Sequence, residues 1–202
     1  MSAPADYLAP FRDLLMPNAR LLVQAGAGDG GLAREYRKLY PVSTTLVVEA
    51  DAAQARLASE YAERVYQADL DTVSAAFYKQ LEWADGWYFD ATLEQYADPL
   101  RVLQHIRKVI QFDAAIVARI TNGAYWDAPA AAPRHRWVIA DMLALFASAG
   151  FRVVSGVLLN PGPLPAEVLA ALQAQAAHSG APLEALIEAA QPSHYLIKAM
   201  PA

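Results

Sequence analysis

The stretch that most constrains this chain is Leu21-Leu22-Val23-Gln24-Ala25-Gly26-Ala27-Gly28-Asp29-Gly30-Gly31. An apolar run stops abruptly at a cluster of glycines, and residues 32–39 continue at once with a helical pattern. The order is strand, tight turn, helix N-terminus. Glycines let such a turn take positive φ and approach a ligand closely, while the following helix offers free N–H groups. Open α/β sheets hold nucleotide-like ligands in this way.

The 202 residues suit one domain, residues 1–202, with a full core. A hydrophobic content of 55% argues against disorder, and no apolar run approaches the roughly 20 residues a membrane span needs. The start of the chain lacks the basic and apolar regions of a signal peptide. There are no cysteines, which removes disulfides and thiolate chemistry and suits a cytoplasmic location. The four histidines are scattered, so no metal site is expected. A net charge of −5 argues against a nucleic-acid partner.

Strand and helix patterns alternate along the chain. Residues 1–18 read as a helical lead-in, broken at Pro10, ahead of the sheet. Strands are expected at residues 19–25, 44–49, 64–68, 86–90, 114–120, 151–159 and 193–199. Helices are expected at 31–40, 52–62 behind an Asp51 cap, 73–81, 99–110 and 139–149. The Ala/Pro cluster at residues 128–133 reads as a loop. Residues 160–192 form a helical insertion before the last strand, made of stretches 166–177 and 182–190, which either covers the site or builds a homodimer contact. Regular alternation predicts an α/β fold with a parallel sheet between two helical layers. Trp87, Tyr88 and Phe89 are expected in the core, and Glu94 and Asp98 as capping or surface charges.

Gly26, Gly28 and Gly31 match G-x-G-x-x-G, with Glu49 about 20 residues on at a strand end, a pattern that taken alone also fits NAD. Further stretches add order to it: Val48-Glu49-Ala50-Asp51, Gln67-Ala68-Asp69-Leu70, Leu93-Glu94-Gln95-Tyr96-Ala97-Asp98-Pro99, Ile120-Thr121-Asn122-Gly123-Ala124-Tyr125-Trp126 and Ala149-Gly150-Phe151-Arg152-Val153. In this order they resemble the class I S-adenosylmethionine-dependent methyltransferases over residues 19–199. The similarity is greatest to the bacterial branch with an L-E-H-x-x-D-P fourth motif, often associated with saccharide biosynthesis. The resemblance implies a Rossmann-like αβα sandwich with strand order 3-2-1-4-5-7-6 and strand seven antiparallel. It implies S-adenosyl-L-methionine as cofactor and a small-molecule or saccharide acceptor methylated on oxygen or nitrogen.

Carried onto this chain, the resemblance places Gly26, Ala27 and Gly28 against the methionine part of the cofactor. It places Glu49, followed by Ala50, on the ribose hydroxyls, Asp69 on the adenine amino group, Leu70 on the ring face and Asp90 near the transferred methyl. Asp69 serves equally as a helix cap. Gln24 stands where the family has Asp or Glu near the ammonium group. Losing that charge-assisted bond is expected to cost about 1–1.5 kcal/mol, so Gln24→Glu should tighten binding. Gln95 replaces the motif histidine, Gln111-Phe112-Asp113 replaces a Pro-Gly turn, and Thr121 replaces a proline. These departures also fit a methyltransferase-fold protein that has lost activity and serves in binding or assembly. For hydroxyl acceptors a base is required. Tyr125 and His135 are the candidate catalytic groups, although Arg134-His135-Arg136 also reads as a solvated helix lead-in or an attractor of anionic acceptors.

Overall fold

Strands β1 (Leu21–Ala25), β2 (Thr44–Glu49), β3 (Arg64–Gln67), β4 (Gly86–Asp90), β5 (Ala115–Thr121), β6 (Phe151–Leu159) and β7 (His194–Pro201) join in one sheet of order β3-β2-β1-β4-β5-β7-β6. The first five run parallel, and β7 runs antiparallel to both β5 and β6. The computed structural model describes residues 7–128, 133–159 and 162–202. Expectations for residues 1–6, 129–132 and 160–161, including most of the Ala/Pro loop, lie outside the described residues.

The pleat of the sheet explains the aromatic run of β4. Successive side chains point to opposite faces. Trp87 and Phe89 therefore join Val102, Leu103 and Ile106 of α5 (Pro99–Arg107) and Met142 and Phe146 of α6 (Ile139–Ser148). Tyr88 faces the other way, onto Phe11 of α1 (Leu8–Leu14) and Leu32 and Tyr36 of α2 (Gly31–Leu39). Each of these large side chains leaves water almost completely, which contributes about 1.5–3 kcal/mol apiece. The sheet is thus the middle of three layers.

Two local differences from the expected elements have physical reasons. Pro10 does not break α1, because it sits in the first turn, where N–H groups have no helical acceptor. Helix α3 (Ala52–Ala58) is capped by Asp51, whose side chain accepts from the N–H groups of Ala53 and Gln54 at 2.9 and 2.8 Å. It then tightens into three-residue turns instead of continuing to residue 62, and Tyr61 packs with Ala33, Val47 and Ala58. Helices α7 (Ala166–Ser179) and α8 (Leu183–Ala190) pack on each other, and α7 buries none of its residues. The end of α8 is tied to the end of β5, because the Asn122 amide donates to the carbonyls of Ala189 and Pro192 at 2.7 and 2.8 Å. No helix among the described residues is long and apolar enough to cross a membrane.

Candidate cofactor cleft

The chain reverses its strand order between β1 and β4, and the loops that leave the carboxyl ends there diverge. A crevice at this point follows from the topology. In this protein it is a cleft of about 380 Å3 lined by Gly26, Val48, Glu49, Ala50, Ala68, Asp69, Leu70, Asp71, Thr92, Gln95, Tyr96 and Arg134. That volume lies within the roughly 300–1,000 Å3 typical of small-molecule sites.

The floor of the cleft is the glycine turn. Gly26 has φ +86°, and its N–H donates to the carbonyl of Val48 at 2.8 Å. A Cβ on Gly26 would lie 2.6 Å from the methyl of Thr92, whose hydroxyl donates to the carbonyl of Ala25. Only glycine supplies both the dihedral and the clearance. Glu49 holds the turn from the side. One carboxylate oxygen accepts from the N–H of Ala27 at 2.6 Å, the other from the N–H of Asp51 at 2.7 Å. Each oxygen keeps a lone pair for a further donor, so the carboxylate is oriented without being saturated.

The far wall is stitched across two loops. Asp69 accepts from the N–H of Asp71 at 2.8 Å while also lining the cleft. Asp71 accepts from the N–H groups of Ala97 and Asp98 at 2.6 and 3.0 Å, joining the loop after β3 to the loop after β4. Buried Leu70 is held by its carbonyl, which accepts from the hydroxyl of Tyr78 at 2.8 Å. Tyr96 packs edge-on against Phe89, and its hydroxyl is held protonated by burial, with the Glu49 charge adding to the effect.

Of the residues singled out in the sequence, Gly26, Glu49, Ala50, Asp69 and Leu70 therefore share one cleft. Gln24, Ala27, Gly28 and Asp90 do not line it. Gln24 is 3% exposed. Its amide oxygen accepts from the hydroxyls of Tyr88 at 2.7 Å and Tyr61 at 3.2 Å. The Tyr61 oxygen in turn accepts from the N–H of Gly28 at 3.4 Å, so Gln24 braces the glycine turn from beneath. Asp90 is turned to Arg119 and Tyr7.

Tyr125 rests against Trp126 and does not line the cleft. His135 stacks on Trp137, and its Nε2–H donates to the carbonyl of Tyr96 at 3.0 Å. Asn122 clamps α8 instead of facing a ligand. Glu94 is no surface charge. It is 1% exposed and accepts from the N–H and hydroxyl of Thr121 at 3.0 and 2.8 Å, tying the single 3-10 turn Leu93–Gln95 to the end of β5. Thr92, Tyr96 and Arg134 are lining residues that periodicity could not reveal. Thr92 flanks the Leu93–Pro99 motif, Tyr96 falls within it and Arg134 sits in a loop, and only loop convergence brings them together.

His194, at the start of β7, has its imidazole pulled down to about 4 by burial, with Arg119 adding to the effect. The unfolded chain therefore binds a proton near pH 6.5 that the native state refuses until pH 4. Stability is full above pH 6.5 and falls as pH drops toward 4. His194→Gln is expected to remove on the order of 2 kcal/mol of that loss, after allowance for partial exposure. Urea melts at pH 7 and pH 4.5 check this, and equal pH losses in wild type and variant would refute it.

No protein-family model matches the sequence, and no curated protein matches it at the sequence level. Solved structures do match the fold. An S-adenosylmethionine-dependent methyltransferase from Mesorhizobium loti is 17% identical at TM-score 0.68, covering 98% of both chains. A SAM-dependent methyltransferase from Archaeoglobus fulgidus is 16% identical at TM-score 0.68, covering 96% of this chain and 92% of that one. Geranyl diphosphate methyltransferase, solved with SAM, is 18% identical at TM-score 0.64, covering 97% and 84%. The chain has the fold of the class I S-adenosylmethionine-dependent methyltransferases, down to the reversed seventh strand.

Proposed function

We propose that the chain binds S-adenosyl-L-methionine and transfers its methyl group to oxygen or nitrogen of a small-molecule or saccharide acceptor. The observation that carries this reading is the convergence, in one cleft, of the Gly26 turn with the Glu49 and Asp69 carboxylates from the ends of neighbouring strands. Bound there, the cofactor would supply an electrophilic methyl group. Glu49 would accept from both ribose hydroxyls. Asp69 would accept from the adenine amino group with Leu70 against the ring. The turn at Gly26, Ala27 and Gly28 would admit the methionine part. Glu49 arrives already oriented by two N–H donors, so little ordering is needed on binding.

Calorimetric titration with S-adenosylmethionine, S-adenosylhomocysteine and NAD tests the ligand, and a methyl-transfer assay over acceptor classes tests the reaction. Binding of the two sulfur compounds but not NAD is expected. Absence of both at millimolar concentration overturns the reading.

A second reading, a binding or assembly protein with this fold and no transfer activity, is favoured by one observation. Neither Tyr125 nor His135 lines the cleft. Cofactor binding without turnover on any nucleophile would select it.

The position of Gln24 changes what Gln24→Glu should do. A carboxylate there would be buried against two hydroxyl donors, so a stability loss of about 1–3 kcal/mol is expected. Cofactor affinity should move less than about threefold, because the side chain does not line the cleft. Tightening by tenfold or more, about 1.4 kcal/mol, would instead put residue 24 beside the ammonium group.

A further inference from the structure

One charged cluster at the carboxyl edge of the sheet is not used by the cofactor cleft. Asp90 and Arg119 are register partners on β4 and β5, and Arg119 donates from Nε to one Asp90 oxygen. The other Asp90 oxygen accepts from the hydroxyl of Tyr7 at 3.0 Å. The guanidinium carbon lies 4.2 Å from the centre of the Tyr7 ring. The Arg119 side chain is 17% exposed and that of Asp90 14%. Burial, with the Asp90 charge adding to it, pushes the Tyr7 hydroxyl up to about 12, so it stays a donor.

This arrangement fixes the guanidinium on one edge and over one face. A guanidinium carries five N–H groups. One goes to Asp90, and the four on Nη1 and Nη2 have no hydrogen-bond partner among the described residues. Neither nitrogen is among the buried unpartnered atoms, so both keep contact with solvent. A surface arginine loses rotamer freedom when it grips a ligand. Arg119 has already given up most of that freedom to Asp90 and Tyr7. Its open edge is a planar fork of the shape that binds a carboxylate through two parallel bonds. Nearby His194 is neutral above pH 4 and adds no second cation. A single cation beside the Asp90 charge suits a monoanion better than a phosphate dianion. The N–H of Ala91 donates to the carbonyl of Arg119 at 2.9 Å, and the next residue, Thr92, lines the cleft, so the backbone at Arg119 lies beside a wall of the cleft.

We propose that the Arg119 fork, positioned by Asp90 and Tyr7, receives a carboxylate group of the methyl acceptor. The proposal rests on the methyltransferase reading above. It makes Arg119 a specificity residue and Asp90 and Tyr7 positioning residues.

The test uses the full chain saturated with S-adenosylhomocysteine. Benzoate is titrated in, with neutral benzamide and phenyl phosphate as comparisons, followed by calorimetry and by NMR of the arginine side chains. Benzoate is expected to bind in the millimolar range, with benzamide and phenyl phosphate at least about tenfold weaker. Arg119→Lys, which keeps the charge but loses the fork, should weaken benzoate about tenfold, and Arg119→Gln should abolish binding. Tyr7→Phe should weaken benzoate while leaving the charge of Arg119 in place. Thermal melts of every variant separate these effects from misfolding.

Benzoate binding that survives Arg119→Gln in a folded variant overturns the proposal. So does preference for phenyl phosphate, or absence of benzoate binding while S-adenosylhomocysteine binds. A fall in S-adenosylhomocysteine affinity on Arg119→Gln would mean that the fork serves the cofactor's own carboxylate, which also overturns it. Failure of S-adenosylhomocysteine to bind the wild type defeats the methyltransferase reading itself, and is seen separately in the first titration.

Discussion

Glu49→Ala is expected to weaken S-adenosylhomocysteine binding by at least about 100-fold, the largest loss from any single side chain of the cleft. Two effects add. The ribose would lose a charged acceptor for both hydroxyls, and hydrogen bonds to charged groups contribute about 1.5–3 kcal/mol each. The glycine turn would also lose its side-chain tie to β2, leaving the Gly26 N–H bond to the Val48 carbonyl, since the N–H groups of Ala27 and Asp51 both depend on this carboxylate. Glu49→Gln separates the two effects. It keeps an acceptor for one N–H and discards the charge, so an intermediate loss is expected. Calorimetry on both variants checks the order. Unchanged affinity in Glu49→Ala would show that the carboxylate is a structural tie only.

The second large effect is at Gly26. Alanine there must hold φ near +86°, and its Cβ would meet the Thr92 methyl at 2.6 Å. Backbone strain of about 1–2 kcal/mol combines with displacement of Thr92 from the Ala25 carbonyl, about 1 kcal/mol more. A total stability loss of about 2–4 kcal/mol is expected, with cofactor binding lost as well because the new methyl stands at the cleft floor. The double variant Gly26→Ala with Thr92→Ser should recover part of the stability, since serine keeps the hydroxyl and drops the nearest carbon. Chemical denaturation of the single and double variants reads this out. An additive double variant, with no recovery, would mean that strain alone sets the cost.

The fold was legible because it follows from local periodicity. The apolar run without alternation at β1 announces a strand covered on both faces, and glycine or Asp caps mark turns between the elements. β2, β4 and β6 begin and end at the residues expected from the pattern. The order of the strands came from resemblance, and the pairing of β7 against β5 and β6 agrees with it. The candidate site was legible in part. Glu49 stands at the end of β2 and Asp69 two residues beyond the end of β3, where topology brings side chains to the crevice.

Side-chain direction was not legible. Gln24 follows Val23 on a buried strand, and nothing local says that its amide oxygen accepts from two tyrosine hydroxyls. Tyr61 and Tyr88 lie 37 and 64 residues away. Glu94 sits among polar neighbours and reads as exposed, yet a partner on β5 takes it into the core. Asp90 closes β4, and nothing local says that Arg119 and Tyr7, 29 and 83 residues off, each donate to one of its oxygens.

The sequence by itself determined the alternation of strands and helices, the glycine turn at Gly26 and the carboxylates at the strand ends. Each depends on neighbours within one turn or one strand. Tertiary structure alone decided which polar groups face the cleft and which brace it. Hydrogen bonds between distant segments set those directions, and no short-range pattern encodes them.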